Sequence, residues 1–497
     1  MKKHYFTKKV LPACLLFFMT ITTNVFAQVG IGTITPNASS VLDVSSTTQG
    51  LLTPRMTTAQ RVAIVSPADG LMVYDTDLKS FYHYNSSIMS WNVINSGSTG
   101  RLKFKRIKST DVLSTVLAAE KATGGDLKYV LDATTYYEIN GTIILDFPID
   151  LNNAYISGQD ANEDKLVRTA GNLFDGATGG SIRNVTIQVT GGGKVFNLSG
   201  TAAQNFLMRD AIIAASSNVG SITGFGLVFV SVVQYVGNTT GIVYDTISKL
   251  LISNAAWFSN NTGTYEKLQG TFGLVQKQGG FSEVTGTSIG FDVSSNPTIT
   301  GDAVMETVGF TGTVSTGKYV NGYTIGGYTG YNFNNNWNVR CAGLPNETDA
   351  TAVGEFSVDY PVGSGAATNF NTNNPSNITK VLGESASTNL FRFSTGLTNN
   401  KLVYLGKKKR FFQVTGSISF QVSNPGTYII YIAKNGAVVT QYKIYGRGTV
   451  ASDIVVLPLN ALVELTTNDY IEVYAQRFTS TVNTDIIITP NMTLVLK

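Results

Sequence analysis

The sequence predicts an all-β chain, a stacked β-solenoid followed by a β-sandwich, and three observations carry that prediction. Of 497 residues 14% are charged and 43% hydrophobic, with 50 glycines, 23 tyrosines and 26 phenylalanines. This composition fits many short strands and turns, and it excludes charge-driven disorder and a coiled coil. Between about 127 and 335, β-branched runs beginning at Ser181, Asn205, Phe225 and Lys249 recur every 20–24 residues. Such a period, with strands too short to form a domain alone, is that of coils hiding their apolar side against their neighbours. Beyond residue 381 alternating apolar runs flank Lys434-Asn435-Gly436, a strong local hairpin signal.

In chain order, residues 1–27 read as a secretory leader. Lys2, Lys3, Lys8 and Lys9 precede the apolar run Val10–Met19, and Val25-Phe26-Ala27 supplies a cleavage site before Gln28. The run is too short to span a membrane, and Leu11-Pro12-Ala13-Cys14 lies too early in it to be a lipobox. Cleavage leaves Cys341 as the only cysteine, which excludes an intrachain disulfide. It also converts a formal charge of +4 into 32 basic against 32 acidic side chains, so net charge argues for no nucleic-acid partner.

Residues 28–100 read as a small α+β module. It contains Val29-Gly30-Ile31-Gly32-Thr33, then Gly50-Leu51-Leu52-Thr53-Pro54-Arg55-Met56-Thr57-Thr58-Ala59-Gln60-Arg61, then Gly70-Leu71-Met72-Val73-Tyr74-Asp75. This succession resembles the N-terminal module of exported surface or tail-fibre-like proteins from Bacteroidetes, which implies lineage and export and says little about activity. Thr57 with Gln60 forms a capping box for a helix over 58–65. Residues 101–135 are expected to be a linker and a short helix ending near Gly124-Gly125, with Lys103, Lys105, Arg106 and Lys108 on a solvated strand face.

The solenoid is assigned to 136–335, with Val185, Leu207 and Leu251 as inward positions. Its Asn184-Val185-Thr186-Ile187 stretch resembles right-handed parallel β-helices of the pectin-lyase type, so the resemblance implies that hand and parallel pairing. Residues 336–380 lack periodicity and are expected to be an irregular linker, leaving 381–497 as the head. Its eight or so strands resemble the jelly rolls of C1q/TNF-like and phage receptor-binding heads, which implies a homotrimer.

Catalytic equipment is sparse. His83 is the only histidine beyond the leader, so neither a Ser-His-Asp triad nor a Cys341–His nucleophile is well supported, and no cofactor or metal is called for. Asp75-x-Asp77 lacks the remaining ligands of a calcium loop. If the solenoid face is enzymatic, the carboxylates are Asp210 beside Arg209, Asp245 near Lys249, and Glu266 beside Lys267, because glycosidases need two carboxylates at controlled separation. Two further groups suit ligand binding: the cationic run Lys407, Lys408, Lys409 and Arg410, and the aromatics Tyr323, Tyr328, Tyr331 and Phe333, whose faces can stack on sugars. The expected function is a non-enzymatic, exported adhesion or display protein that binds a surface glycan or protein. A β-helical polysaccharide lyase or glycoside hydrolase and a phage-derived tail fibre are the alternatives.

Overall fold

The computed structural model describes residues 28–94, 103–371, 378–479 and 484–497, forming parts of two compact units, Met1–Gly100 and Arg101–Lys497. The expected leader with its cleavage after Ala27, and residues 95–102 at the end of the expected N-terminal module and the start of the expected linker, lie outside the described residues.

In the first unit Val29–Ile31 pairs in parallel with Leu42–Val44, and Arg55–Met56, Met72–Asp75, Ser80–Asn85 and Ser90–Val93 form a four-stranded sheet. The helix Thr58–Val62 starts at Thr57 with both capping-box bonds made. The quoted motif residues meet at one point: Asp75, fully buried, accepts from Arg61 Nε at 2.9 Å, from the Thr58 hydroxyl at 2.8 Å and from the Leu78 and Asp77 N–H groups at 3.0 Å. The Arg61 guanidinium in turn lies 3.9 Å from the centre of the Tyr82 ring. Burial works to raise the Asp75 pKa, but the bonds from Leu78, Thr58, Arg61 and Asp77 outweigh it and hold it at about 2. A folded-state value below the unfolded one stabilises above the unfolded value, near 4, and that contribution is lost as pH falls. Hydrogen-exchange protection of Met72–Asp75 should therefore decline between about pH 4 and about pH 2; protection unchanged down to pH 2 would contradict this.

The second unit opens with a parallel β-solenoid of about eight turns. A 13-stranded and a 9-stranded sheet, both parallel throughout, form its walls. Coil length is 22 residues between Leu207, Phe229 and Leu251, then 25 to Gln276 and 28 to Val304. Side chains in register stack down the bore: Phe206, Val228, Leu250, Val275 and Ala303 occupy successive rungs and are all buried. Asn184 takes a left-handed corner at φ 52°, which asparagine tolerates better than most residues.

Val185 is buried as expected, whereas Leu207 and Leu251 are only partly buried and face outward, with Phe206, Met208, Leu250 and Ile252 inside. The reason is phase. In a run apolar at every position the alternation has no marker, and a one-residue slip exchanges the faces.

Stacked side chains satisfy the backbone at one turn. Asn238 Oδ1 accepts the Ser216 N–H at 3.0 Å, Asn261 Oδ1 accepts the Asn238 N–H at 2.8 Å, and Asn238 Nδ2 donates to the Ile213 carbonyl at 2.9 Å. Asn238 and Asn261 are 1% exposed. Asn238→Ala should cost about 1–3 kcal/mol by urea denaturation, since it strands buried backbone groups; a cost near zero would mean that the ladder contributes nothing net.

The ladder extends beyond 136–335 at both ends. Phe104–Lys108, expected in a linker, pairs with Tyr136–Asn140 as the first strand of the large sheet, and Trp337–Ala342 pairs with Ala303–Thr311 as its last. Phe104–Lys108 turns only Ile107 fully inward, too little for periodicity to register. Between them Leu113–Val116 and Ala118–Thr123 are helical, and the buried Glu120 accepts from Lys105 Nζ at 2.6 Å and from the Tyr137 hydroxyl at 2.7 Å.

The head is an antiparallel sandwich of a six-stranded and a seven-stranded sheet with one shared core. Its first strands, Gly354–Asp359 and Ala366–Asn371, both pair with Thr484–Leu496 and fall within the stretch 336–380 read as linker. In Gly354–Asp359 only Phe356 and Val358 mark the alternation. The Asn435-Gly436 turn has both residues left-handed, at φ 53° and 79°, and joins Gly426–Lys434 to Ala437–Val438. Pro458 stands within Ile454–Leu465, an edge strand, where its missing donor is tolerated.

Candidate functional site

The trunk and head meet at a junction built by residues distant in sequence. Asp349 is its centre. Its Oδ2 accepts the backbone N–H groups of Lys407 at 2.9 Å and Lys408 at 2.7 Å, its carbonyl accepts Arg410 Nη1 at 2.5 Å, and its Oδ1 lies 3.3 Å from Arg392 Nη1. Arg392, with its side chain 1% exposed, also donates to the carbonyls of Asn335 at 2.6 Å, Trp337 at 2.5 Å and Glu347 at 3.2 Å. Burial lowers the Arg392 pKa against the opposing pull of Asp349. Glu347, fully buried, accepts the Asn332 and Phe333 N–H groups at 2.9 and 2.8 Å, and burial pushes its pKa up.

The cationic run 407–410 is largely engaged within the protein. Lys407 Nζ reaches Asp302 and the Gly301 carbonyl at 3.1 Å, Lys409 pairs with Glu464 at 3.1 Å, and Arg410 bonds to Asp349. Lys407 thus ties the head to the trunk and Arg410 to the junction at Asp349, whereas Lys409 pairs within the head. Glu347, Asp349 and Arg392 escaped sequence reasoning because each is a single charge in an aperiodic stretch; their only signal was their rarity there.

The aromatics divide. Phe333 is fully buried against Trp337, ring centres 4.7 Å apart, and is no recognition residue. The Tyr323 hydroxyl donates to the Pro297 carbonyl at 2.8 Å and accepts from Trp337 Nε1 at 3.1 Å, and burial pushes its pKa up to about 12. Tyr331 stacks on Phe391 at 4.0 Å. Tyr328 meets Phe391 edge-on, donates to Asn335 Oδ1 at 2.6 Å, and lines a cleft of about 410 Å³. Asn335, Ser387, Thr388, Phe393 and Ser394 share the lining, which includes no Asp, Glu, Lys, Arg or His. A neutral wall of hydroxyls and amides around aromatic carbon suits an uncharged, polyhydroxylated ligand.

The three carboxylates weighed for catalysis are not brought together. Asp210 sits on the large sheet, exposed, and accepts from Arg209 Nε at 3.0 Å. Asp245 sits on the nine-stranded sheet, held by Thr246 at 2.7 Å and Gln269 at 3.2 Å. Glu266 points into the bore, where Oε2 lies 2.8 Å from Lys277 Nζ, both side chains being 1% exposed. Its partner is therefore Lys277 and not the adjacent Lys267. Burial, with the Glu266 charge adding to it, pushes the phenols of Tyr235, Tyr244 and Tyr265 upward and keeps them protonated around that pair.

His83 lies in a strand between Met72 and Asn92. Cys341 contacts the Met305 carbonyl at 3.4 Å, and burial raises its thiol pKa, which disfavours the reactive thiolate. Among the described residues no group of three or more His, Cys, Asp or Glu could hold a metal, and no helix is long and apolar enough to cross a membrane.

The class so defined is a β-solenoid protein with a β-sandwich head joined to its trunk by a buried ionic clamp. Residues 30–110 match the family described as the phage tail like trimerisation region. Among curated proteins nothing matches. Similar solved structures include murine APRIL, 10% identical with TM-score 0.20, covering 29% of this chain and 98% of its own. Pika GITRL is 14% identical with TM-score 0.16, covering 29% and 93%. The enzymatically active domain of bacteriophage CBA120 tailspike protein 4 is 10% identical with TM-score 0.26, covering 90% and 77%. At these TM-scores none of the three carries an argument, and the fold rests on the strand pairing above.

Proposed function

We propose that the protein is an exported, tail-fibre-like homotrimer that displays its head for adhesion to a surface glycan and does not cleave it. The observation that carries the reading is the match of residues 30–110 to a trimerisation region. The composition of that region supports it: Ile31, Leu42, Leu51, Leu52 and Met72 of the N-terminal unit are each 45% or more exposed, a density of bare apolar side chains that monomers rarely leave in contact with water. The neutral cleft beside Tyr328 is the glycan site in this reading.

Light scattering of the full chain should give three chain masses. A glycan array read beside a reducing-end assay should give binding without new reducing ends. Tyr328→Ala should weaken that binding about tenfold or more with the melting temperature retained. Reproducible cleavage that is lost on substitution of Asp210 or Asp245 would replace this reading with the enzymatic one.

A further inference from the structure

We infer that the outer face of the large trunk sheet is the subunit contact, along which copies of this chain pack side by side; the inference rests on the trimer reading. One register runs the whole trunk on the side away from the bore, its rung at Ser181 being buried. Phe104, Tyr136 and Tyr155 occupy its first three rungs, followed by Ser181. Leu207, Phe229 and Leu251 come next, then Gln276, Val304 and Asn338. Seven of these ten positions are apolar or aromatic although they point away from the bore. Phe104 and Tyr155 are 45% and 51% exposed, and the Phe104 ring lies over that of Tyr136.

The register two residues further along each strand has the opposite character. Arg106, Glu138, Ser157, Arg183 and Arg209 begin it, Ser231 and Ser253 follow, and Gln278, Glu306 and Arg340 end it. An apolar strip bordered on this side by polar and charged side chains has the core-and-rim composition of a protein interface. At the inter-strand spacing the strip from Phe104 to Val304 is roughly 40 Å long. Three adjacent outward registers are roughly 20 Å wide, so the face can supply the roughly 800 Å² per partner that a stable interface takes.

The occupant is a second copy because of continuity. The trimerisation match extends through residue 110 and so includes Phe104–Lys108, the first rung of this sheet and of this strip. A contact begun there meets the same kind of side chain on the rungs above.

The test uses the full chain with both native cysteines replaced by serine and pyrene attached at Ser253→Cys, beside Leu251 on this face, or at Ser221→Cys on the outer face of the nine-stranded sheet. A three-chain mass with excimer emission from position 253 and none from 221 is expected. Phe229→Glu/Leu251→Glu, which leaves the bore intact, should weaken association at least tenfold in a sedimentation dilution series while retaining the far-ultraviolet spectrum. A three-chain mass without excimer at 253, and unchanged by the double substitution, overturns the assigned face and leaves the trimer standing. A one-chain mass for the unsubstituted protein overturns the trimer reading itself.

Discussion

Lys277→Met is expected to destabilise the trunk by about 3–5 kcal/mol, because it leaves the Glu266 carboxylate buried without its counter-charge. The two side chains occupy rungs that hold apolar residues in neighbouring coils: Ile242 and Phe291 flank Glu266, and Ile252 and Met305 flank Lys277. Each wall of the bore contributes one charge, so the pair spans the interior. Replacing both, as Glu266→Leu/Lys277→Met, should recover most of the loss or exceed the native stability, since a buried ion pair gains little over well-packed apolar groups. Equilibrium denaturation of the two variants checks this. A double variant as unstable as the single one would mean that the surrounding phenols of Tyr235, Tyr244 and Tyr265, rather than the pair, set the cost.

The second large effect is expected at the junction. Arg392→Ala removes the donor to three carbonyls and the counter-charge of Asp349, and should cost about 3–5 kcal/mol. Arg392 itself holds a left-handed backbone at φ 60°, a conformation that a non-glycine residue keeps only where the surroundings impose it. Calorimetry should show one transition in the native protein and two in the variant, the trunk and head then melting separately. Arg392→Lys should restore only part of the coupling, because an ammonium lacks the planar fork that reaches several acceptors at once. A single unshifted transition in Arg392→Ala would mean that Asp349 and the 407–410 segment hold the junction without it.

The sequence by itself determined what repeats and what is locally punctuated. The 20–24-residue spacing of β-branched runs specified the stacked coils, since each coil must place the same apolar pattern in the same register. Thr57 with Gln60, and Asn435-Gly436, specified a helix start and a hairpin because those bonds form within a few residues. The ends of each domain were not legible: Phe104–Lys108 and Gly354–Asp359 carry one or two inward apolar residues each, and their assignment depends on strands 28 to 142 residues away in the chain. Facing was not legible either, as Leu207 and Leu251 show, because a wholly apolar run has no phase until neighbouring coils fix it. The tertiary structure decided which charges meet. Glu266 finds Lys277 across the bore instead of its neighbour Lys267, and Asp349 finds Arg392, 43 residues away, because buried charges are paired by proximity in space, where desolvation makes an unpaired one costly, and not by adjacency along the chain.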